Sequence, residues 1–544
     1  MAEVAMNIKQ LSAVATRARK QMCRKASLRG LSIVLAIAAV LVAATGCGGS
    51  GSLPSGSRDT TTLRIAVSSS TPMNPAKSTY AVYWGAMGTN PAYAALFHVT
   101  TDGEIKPQLA TEWGYVNTAE RKNEVFEFTL RDDAEFSDGT PVNAQAVVGW
   151  LEYFVQAKGL YANVLGSEPK FTATGPHTVR IELSAPNPRL PEILSDQGSA
   201  IGLIGSPAAV ADPELMESGT YGAGPYKLLP SETVNNDHYT YVPNTSYWDQ
   251  DAIHFEKINV KVIANASTRL QAQQSGEYDV TIGDPSTASQ AAGLQVASAP
   301  QGVFYLSFDT KHDVGAPALR DVRVRQAMNY AIDREGIAKA LFGETADPAY
   351  GYVTQDLDTA SHNFRYEYDP AKAKQLLAEA GYADGLTLNG IDTGTFLGQF
   401  GTPLVSAVAE NLKAVGIKLD SQSSPNQADY AKKVFEYKAA VVQTLGVIST
   451  TPPIYTQNLA PDGTTNFFGE DKEITRLYEA GVSSDDPDAA WGEMWQRYTN
   501  QAYTIPLVTY PALYYVSKGI SGVDVSAAAP SSLPTAWYPA DKQQ

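Results

Sequence analysis

Apolar and polar residues alternate along some stretches of the chain and recur at helical spacing along others. The alternating or β-branched stretches predict strands at 63–67, 124–131, 179–183, 258–263, 303–308 and 417–419. The stretches with helical spacing predict helices at 143–154, 268–274, 321–332, 333–341, 369–381 and 404–415. Because helices and strands alternate, the expected fold class is α/β with mixed sheets.

Several of the predicted helices carry recognisable start and stop residues. Asp321 and Asp333 each stand where a side chain can cap the first turn of a helix, and Asp369 does so with Pro370 at the first helical position. Gly381 is a typical helix stop. The region from about 320 onward is therefore predicted to be largely helical.

The N-terminal segment has the order of a secretory signal. Basic residues precede the apolar run at 31–45, which is shorter than the ~20 residues of a membrane-spanning helix, and small residues follow it. Ala44-Thr45-Gly46-Cys47 resembles the lipobox of bacterial lipoproteins, which implies a diacylglycerol on Cys47. The alternative is an ordinary signal peptide with an incidental cysteine. Translation can begin at Met1 or at Met22, and residues 48–60 are predicted to be a flexible linker.

Length and charge narrow the class of protein. A chain of 544 residues is expected to form two or three domains. The formal net charge is −16, and residues 1–46 contribute +6, so the remainder carries −22. So acidic a body is a poor partner for nucleic acid. The two cysteines, Cys23 and Cys47, both lie at the N-terminal end, so no disulfide and no cysteine metal site is expected in the mature protein.

No familiar catalytic motif is present in the sequence. It lacks the GxxxxGK[ST] phosphate loop, the GxGxxG dinucleotide motif, the GxSxG nucleophile elbow and HExxH. We therefore predict no catalytic residue, no cofactor and no metal, and a protein that is not an enzyme. Carboxylates are plentiful, so counting does not exclude an acid–base pair, and an extracellular hydrolase stays as an alternative.

A series of short motifs follows in order between residues 63 and about 520. They are Met73–Pro75, Asp102–Trp113, Phe128–Arg131, Ala134–Pro141, Gly222–Tyr226, Asn244–Trp248, Ser275–Asp279, Asp321–Arg334, Asp369–Gly381, Gly416–Lys418 and Ile505–Leu507. Most of them are turn and cap residues that shape the scaffold. Together they resemble family 5 of the extracytoplasmic solute-binding proteins, which serve peptide and nickel ABC importers (the OppA/DppA type).

This resemblance implies a two-lobed periplasmic-binding-protein (Venus flytrap) fold with two hinge strands and an extra domain. Its implied divisions are a signal peptide at 1–46, a linker at 47–60, domain I at 61–90, 225–308 and 505–544, domain II at 91–224, and domain III at 309–504. Ligand would lie between domains I and III. A solute that contacts both lobes stabilises the closed state by its differential affinity.

The resemblance also bears on the ligand. Peptide binders of the family carry a tryptophan–aspartate stretch whose aspartate pairs with the peptide amine. Here Val447 stands near the tryptophan position, and Ser449, Thr450 and Thr451 stand where acids would be. A hydroxyl-lined, neutral cleft suits a polyol, a sugar-like solute or a modified peptide. The alternative is that Asp309 or Asp392 replaces the missing acid.

The residues expected to line the cleft are loop residues in this interpretation. They are Tyr80, Tyr83 and Trp84 on the domain I side, and Asp309, Thr393, Phe396, Gln399, Thr444, Val447, Thr450, Thr451 and Tyr455 on the domain III side. Aromatic faces and hydroxyls together can hold sugars or amide groups. The alternatives are core packing for Tyr83 and Trp84, and a solvated loop for Thr450 and Thr451.

The expected function is the substrate-binding component of an ABC importer that captures a small solute, by family a peptide or peptide-like molecule. Its expected partners are the solute, the permease and ATPase subunits, and the outer face of the cell membrane through Cys47. We expect a monomer that binds no nucleic acid. The alternatives are a clamp for an oligosaccharide or other neutral solute, and a sensory receptor.

Overall fold

Strands and helices alternate along the described part of the chain. This computed structural model describes residues 60–70, 72–77, 87, 89–159, 161–352, 365–394, 400–436, 439–447 and 450–542. Its strands are β1 (Thr62–Val67), β2 (Phe97–Val99), β3 (Ile105–Pro107), β4 (Ala110–Tyr115), β5 (Val125–Leu130), β6 (Lys170–Ala173), β7 (Thr178–Glu182), β8 (Tyr226–Leu228), β9 (His238–Pro243), β10 (Lys257–Val262), β11 (Val280–Ile282), β12 (Gln295–Phe308), β13 (Leu386–Asp392), β14 (Ile417–Ser423), β15 (Val441–Val447), β16 (Thr504–Val516), β17 (Ile520–Ser521) and β18 (Tyr538–Pro539).

The α-helices are distributed between these strands. They are α1 (Ala144–Gln156), α2 (Leu190–Ile193), α3 (Pro207–Ala211), α4 (Ala266–Gln274), α5 (Val322–Tyr330), α6 (Arg334–Phe342), α7 (Pro370–Glu379), α8 (Gly401–Ala414), α9 (Gln427–Phe435), α10 (Thr451–Ile454), α11 (Lys472–Val482) and α12 (Asp488–Asn500). Among the helices of the described residues, none is both long and apolar enough to cross a membrane.

The predicted capping residues Asp321, Asp333 and Asp369 are confirmed, whereas the helices predicted from 268 and 404 begin at Ala266 and Gly401. Asp321, Asp333 and Asp369 cap α5, α6 and α7 by accepting hydrogen bonds from backbone N–H groups of the first turn at 2.8–2.9 Å. Asn143 caps α1 in the same way, from the N–H of Ala146. These side chains satisfy donors that a helix leaves unpaired at its start, so local sequence alone fixes where each helix begins.

One large mixed sheet joins strands from both ends of the chain. Its order is β14-β13-β15-β12-β16-β11-β1-β10-β9-β8. The antiparallel strands β12 and β16 run through its centre. The first part of β12 pairs only with β16, whereas the second part, from Gly302, also pairs with β15. The sheet thus has two halves, with β13, β14 and β15 in one and β1, β8, β9, β10 and β11 in the other.

A smaller antiparallel sheet, in the order β4-β5-β7-β6, is built from residues 110–182. Helix α1 packs on it through Val147, Trp150, Leu151 and Phe154, all of which are buried. A separate apolar cluster fills the space between α5, α6, α8 and the β12–β16 pair. This arrangement is compatible with the expected three domains, whose boundaries stay a prediction.

The hydrophobic pattern predicted the central strands of the large sheet to be shorter than they are. β12 begins at Gln295 instead of Val303, and β16 was seen only as the short motif Ile505–Leu507. The segment Thr444–Tyr455 was expected to be a loop, but its start lies in β15 and its residues 451–454 form α10. Fully buried strands lack the alternation that marks a half-buried strand, so periodicity identifies them poorly.

We expect the stability of the protein to depend on pH through His98. Its Nδ1 lies 2.6 Å from Asp196 Oδ2, and this hydrogen bond raises the pKa of His98 above its ordinary value of 6.5, against the opposing effect of burial. The stabilisation is complete below pH 6.5 and is lost as the pH rises through the raised pKa of the folded state. Chemical unfolding of wild type and His98→Gln should therefore differ by about 0.5 kcal/mol at pH 5.5 and less at pH 8.5. An equal difference at both pH values would contradict this expectation.

Candidate functional site

The carboxyl ends of strands from both halves of the large sheet point toward the same place. Val447 ends β15 opposite Gly302, which is also opposite Tyr510 at the middle of the β12–β16 pair. β13 runs parallel to β15. In the other half, β11 ends at Ile282, opposite Tyr514 and directed toward Tyr510. In α/β sheets, ligands bind in the crevice outside such carboxyl ends, so this crossing region is the candidate site.

The two central strands are irregular at this crossing. Gln301 is an extra residue of β12 between the pairs Pro300–Pro511 and Gly302–Tyr510, which makes a β-bulge. A second shift places Leu507 of β16 outside the regular pairing. Bulges and prolines weaken the ladder and bend strands, so the crossing is the natural place for a hinge.

Asp392 ends β13 and organises the turn that follows it. The buried carboxylate accepts hydrogen bonds from the Gly394 N–H (2.9 Å) and from the hydroxyls of Thr402, Ser421 and Ser423 (3.0–3.1 Å). Its acceptor capacity is thus used inside the fold, and its observed role is to hold the turn.

Thr393 is held in the same turn. Its N–H and its hydroxyl both donate to Gln443 Oε1 at 2.9 Å, and Gln443 Nε2 donates to the Gly401 carbonyl at 3.1 Å. Gln443 is fully buried. This carboxamide therefore ties the carboxyl end of β13 and the first half of β15 to the start of α8.

Asp309 does not join the other predicted residues. It follows β12 and donates its N–H to the Ala440 carbonyl, at the amino end of β15. Asp309 is seven positions beyond Gly302, or roughly 23 Å along the strand at ~3.3 Å per residue. The buried carboxylate of Asp309 accepts from the N–H of His312 at 2.9 Å and lies 3.1 Å from its ring Nδ1.

The segment after β15 rests on an aromatic cluster. The ring of Tyr455 stacks on Tyr478 with centroids 3.5 Å apart, and Thr451 accepts a hydrogen bond from Trp495 Nε1 at 3.3 Å. Thr444 lies within β15, with its hydroxyl 3.4 Å from that of Tyr430. Thr451 and Tyr455 are therefore packed parts of the scaffold at this edge.

Thr450 differs from its neighbour. It is only 3% exposed, and its hydroxyl has no hydrogen-bond partner among the described residues, although it stands at the N-cap position of α10. Val447, by contrast, is 43% exposed. The alternative that Thr450 and Thr451 form a solvated loop is wrong, because both residues are buried.

Two further buried polar groups, one in β12 and one after β14, were missed from sequence. Within the described part of the chain, Gln301 Oε1 and the hydroxyl of Ser424, which follows β14, have no hydrogen-bond partner. An unpaired buried polar atom costs about 1–3 kcal/mol, so such atoms often mark the position of a ligand or a water molecule. The sequence Pro300-Gln301-Gly302 inside a strand was the available signal for the bulge.

The opposite half contributes a carboxylate at the end of β11. Asp284 Oδ1 accepts from the N–H of Ser286 at 2.9 Å and from the Ser286 hydroxyl, and so caps the following turn. Tyr515 donates its hydroxyl to the Asp284 carbonyl at 2.9 Å. On the β13–β15 side, the hydroxyls of Thr450 and Ser424 have no hydrogen-bond partner among the described residues. The carboxylate oxygen Asp429 Oδ2 on the same side forms an ion pair with Lys433 Nζ at 2.8 Å.

Other predicted residues lie outside the described part of the chain. They are Cys47, Tyr80, Tyr83, Trp84, Phe396 and Gln399. Within the described ranges, no group of three or more His, Cys, Asp or Glu side chains could hold a metal ion.

Comparison with known proteins identifies the relatives of this chain. The family model described as "Bacterial extracellular solute-binding proteins, family 5 Middle" matches residues 104–466. The glutathione-binding protein GsiB of Salmonella typhi is 30% identical over 317 residues, covering 54% of this chain and 57% of that protein. The Escherichia coli K12 protein of the same name is 25% identical over 466 residues, covering 79% and 85%.

Solved structures give the same fold. The structure of NikA from Brucella suis in complex with Fe(III)-EDTA matches with a TM-score of 0.74 and 22% identity, over 88% of this chain and 99% of that one. The α/β class and the two-lobed periplasmic-binding-protein fold expected from sequence are thereby confirmed.

Thr450 and Thr451 offer a matched pair of substitutions. Thr451→Val should lower the free energy of unfolding by about 1–3 kcal/mol, because Trp495 Nε1 is then left buried without an acceptor. Thr450→Val should leave the stability unchanged or raise it slightly, because the hydroxyl removed has no partner. Equilibrium unfolding in urea measures both. A loss for Thr450→Val as large as that for Thr451→Val would show that the Thr450 hydroxyl is already satisfied.

Proposed function

The chain belongs to family 5 of the bacterial extracellular solute-binding proteins, and we propose that it is the substrate-binding component of an ABC importer. In this proposal it captures a peptide or peptide-like solute at the crossing of β12 and β16 and delivers it to a membrane permease. The importer role is inferred from family membership. The glutathione-binding relatives support a small, modified peptide as the solute.

The chemistry of the site supports recognition by uncharged groups. The carboxylate of Asp392 is occupied by four hydrogen bonds within its own half of the sheet. The hydroxyls of Thr450 and Ser424 and the carbonyl of the Gln301 side chain have unused capacity. Such groups suit amide carbonyls, amide N–H groups and hydroxyls of a solute. The proposed site therefore does not require a free amine on the solute, and the neutral oligosaccharide stays as a second candidate.

We infer that Cys47 carries the lipid that holds the protein at the outer face of the membrane, and that the protein acts as a monomer which binds its solute and does not convert it. The apolar run at 31–45 and the small residues before Cys47 support the lipid anchor. The intact mass of the mature protein tests the anchor, because an unmodified N-terminal cysteine would exclude it.

A thermal-shift screen of the chain from Gly48 onward tests the proposed solute. The panel contains glutathione, di- to pentapeptides, their N-acetylated forms, oligosaccharides, polyols and nickel chelates. A ligand at 100 times its dissociation constant should stabilise the protein by about 2.7 kcal/mol. We expect stabilisation by glutathione or short peptides that persists after N-acetylation, and weaker binding of the same solute by Thr450→Val.

Two outcomes would contradict parts of this proposal. Stabilisation by free but not acetylated peptides would mean that a carboxylate binds the amine, and Asp284 would be the first residue to replace. Stabilisation by oligosaccharides alone would exclude the peptide-like solute and favour the second candidate.

A further inference from the structure

Residues 309–503 are joined to the rest of the chain through only two backbone connections, β12 and β16. Residues 89–224, which contain the small sheet, belong to the rest of the chain, on the other side of these two connections. Any swing of one lobe against the other about the crossing must therefore change the contacts between residues 89–224 and residues 309–503. A specific set of side chains makes such contacts.

The buried end of α11 receives an amide from the small-sheet segment. Asn123 Nδ2 donates to the carbonyl oxygens of Val482 at 2.9 Å and of Ser484 at 3.2 Å. Asn123 is only 4% exposed. Carbonyl groups at the end of a helix have no partner within the helix, so Asn123 satisfies acceptors that α11 leaves open.

Two ion pairs flank this amide. Arg189 Nη2 donates to Asp488 Oδ1 at 2.5 Å, at the start of α12, and its guanidinium lies 5.7 Å from the Trp491 ring centroid. Lys122 Nζ lies 3.0 Å from Asp485 Oδ1. Together these contacts place three donors of one segment on the turn between α11 and α12.

The donor side is held in place by its own hydrogen bonds. Asn123 has a positive φ of 56°, a conformation that asparagine tolerates better than most residues. Its N–H donates to Asn117 Oδ1 at 2.8 Å, and its carbonyl accepts from the Asn187 N–H at 2.8 Å. The side chain of Asn187 in turn accepts from the Arg189 N–H at 3.0 Å. The donors are thus positioned before they meet the turn.

We propose that these residues form a polar latch between the lobes. Lys122, Asn123 and Arg189 are its donor side, and Val482, Ser484, Asp485 and Asp488 are its acceptor side. The latch stabilises the lobe arrangement of this structure and must break when the lobes rotate about β12 and β16. It makes the population of this arrangement depend on the protein itself, whichever solute binds at the crossing.

Spin-label distances between the lobes test the latch. The full chain carries Cys23→Ser and Cys47→Ser, with labels on Lys170→Cys in β6 and Glu410→Cys in α8, both exposed positions. Without solute, Asp488→Asn should raise the ratio of rearranged to latched molecules about threefold. Arg189→Ala combined with Asn123→Gly should raise it about tenfold. Glycine at 123 keeps the positive φ while removing the amide.

The controls separate the latch from a general loss of charge or of folding. Arg476→Ala removes an arginine that pairs with Glu473 within α11 and should leave the distance distribution unchanged. Circular dichroism verifies that each variant is folded. Distance distributions for Asp488→Asn and for Arg189→Ala/Asn123→Gly that superimpose on that of Arg476→Ala would overturn the proposal.

Discussion

The antiparallel pairing of β12 with β16 holds the two halves of the large sheet together. The pair runs from Gln295–Val516 at one end to Ser307–Thr504 at the other. Each half of the large sheet is assembled on a different part of it, β11 on one end and β15 on the other. Because these strands are antiparallel to β12 or β16, their carboxyl ends are directed to the middle of the pair. A crevice between two lobes follows from this topology.

The hydrogen-bond ladder between β12 and β16 is interrupted at the middle of the pair. Pro300 and Pro511 face each other there, and proline cannot donate to the ladder. The side-chain oxygen Oε1 of the extra residue Gln301 is buried and has no hydrogen-bond donor among the described residues. An enclosed polar atom of this kind raises the free energy of the empty protein, and a solute that donates to it removes that cost. The bulge therefore places a break in the strand ladder and an unsatisfied polar atom at the same position.

Helix caps were predictable from sequence because a cap is a local interaction. Asp321, Asp333 and Asp369 act within three residues of their own position, and each was placed correctly. The strand β16 was not predictable from its pattern, because residues buried on both faces give no alternation.

The candidate site was predicted only in part, for a related reason. The resemblance located the stretch around Thr450, but whether a hydroxyl is paired depends on residues far away in sequence. The Thr451 hydroxyl accepts a hydrogen bond from Trp495, whereas the Thr450 hydroxyl has no partner among the described residues. Asp309 shows the same limit, since its distance from the crossing follows from the register of β12 with β15.

We propose that a solute binds where the carboxyl ends of the two halves of the large sheet meet. Hydrogen–deuterium exchange with and without the most stabilising solute tests this location. We expect slower exchange in peptides that cover 282–287, 390–394 and 445–454, with little change in the small sheet at 125–130 and 178–182. Protection confined to the small sheet, or unchanged exchange at all three strand ends under saturating solute, would contradict it.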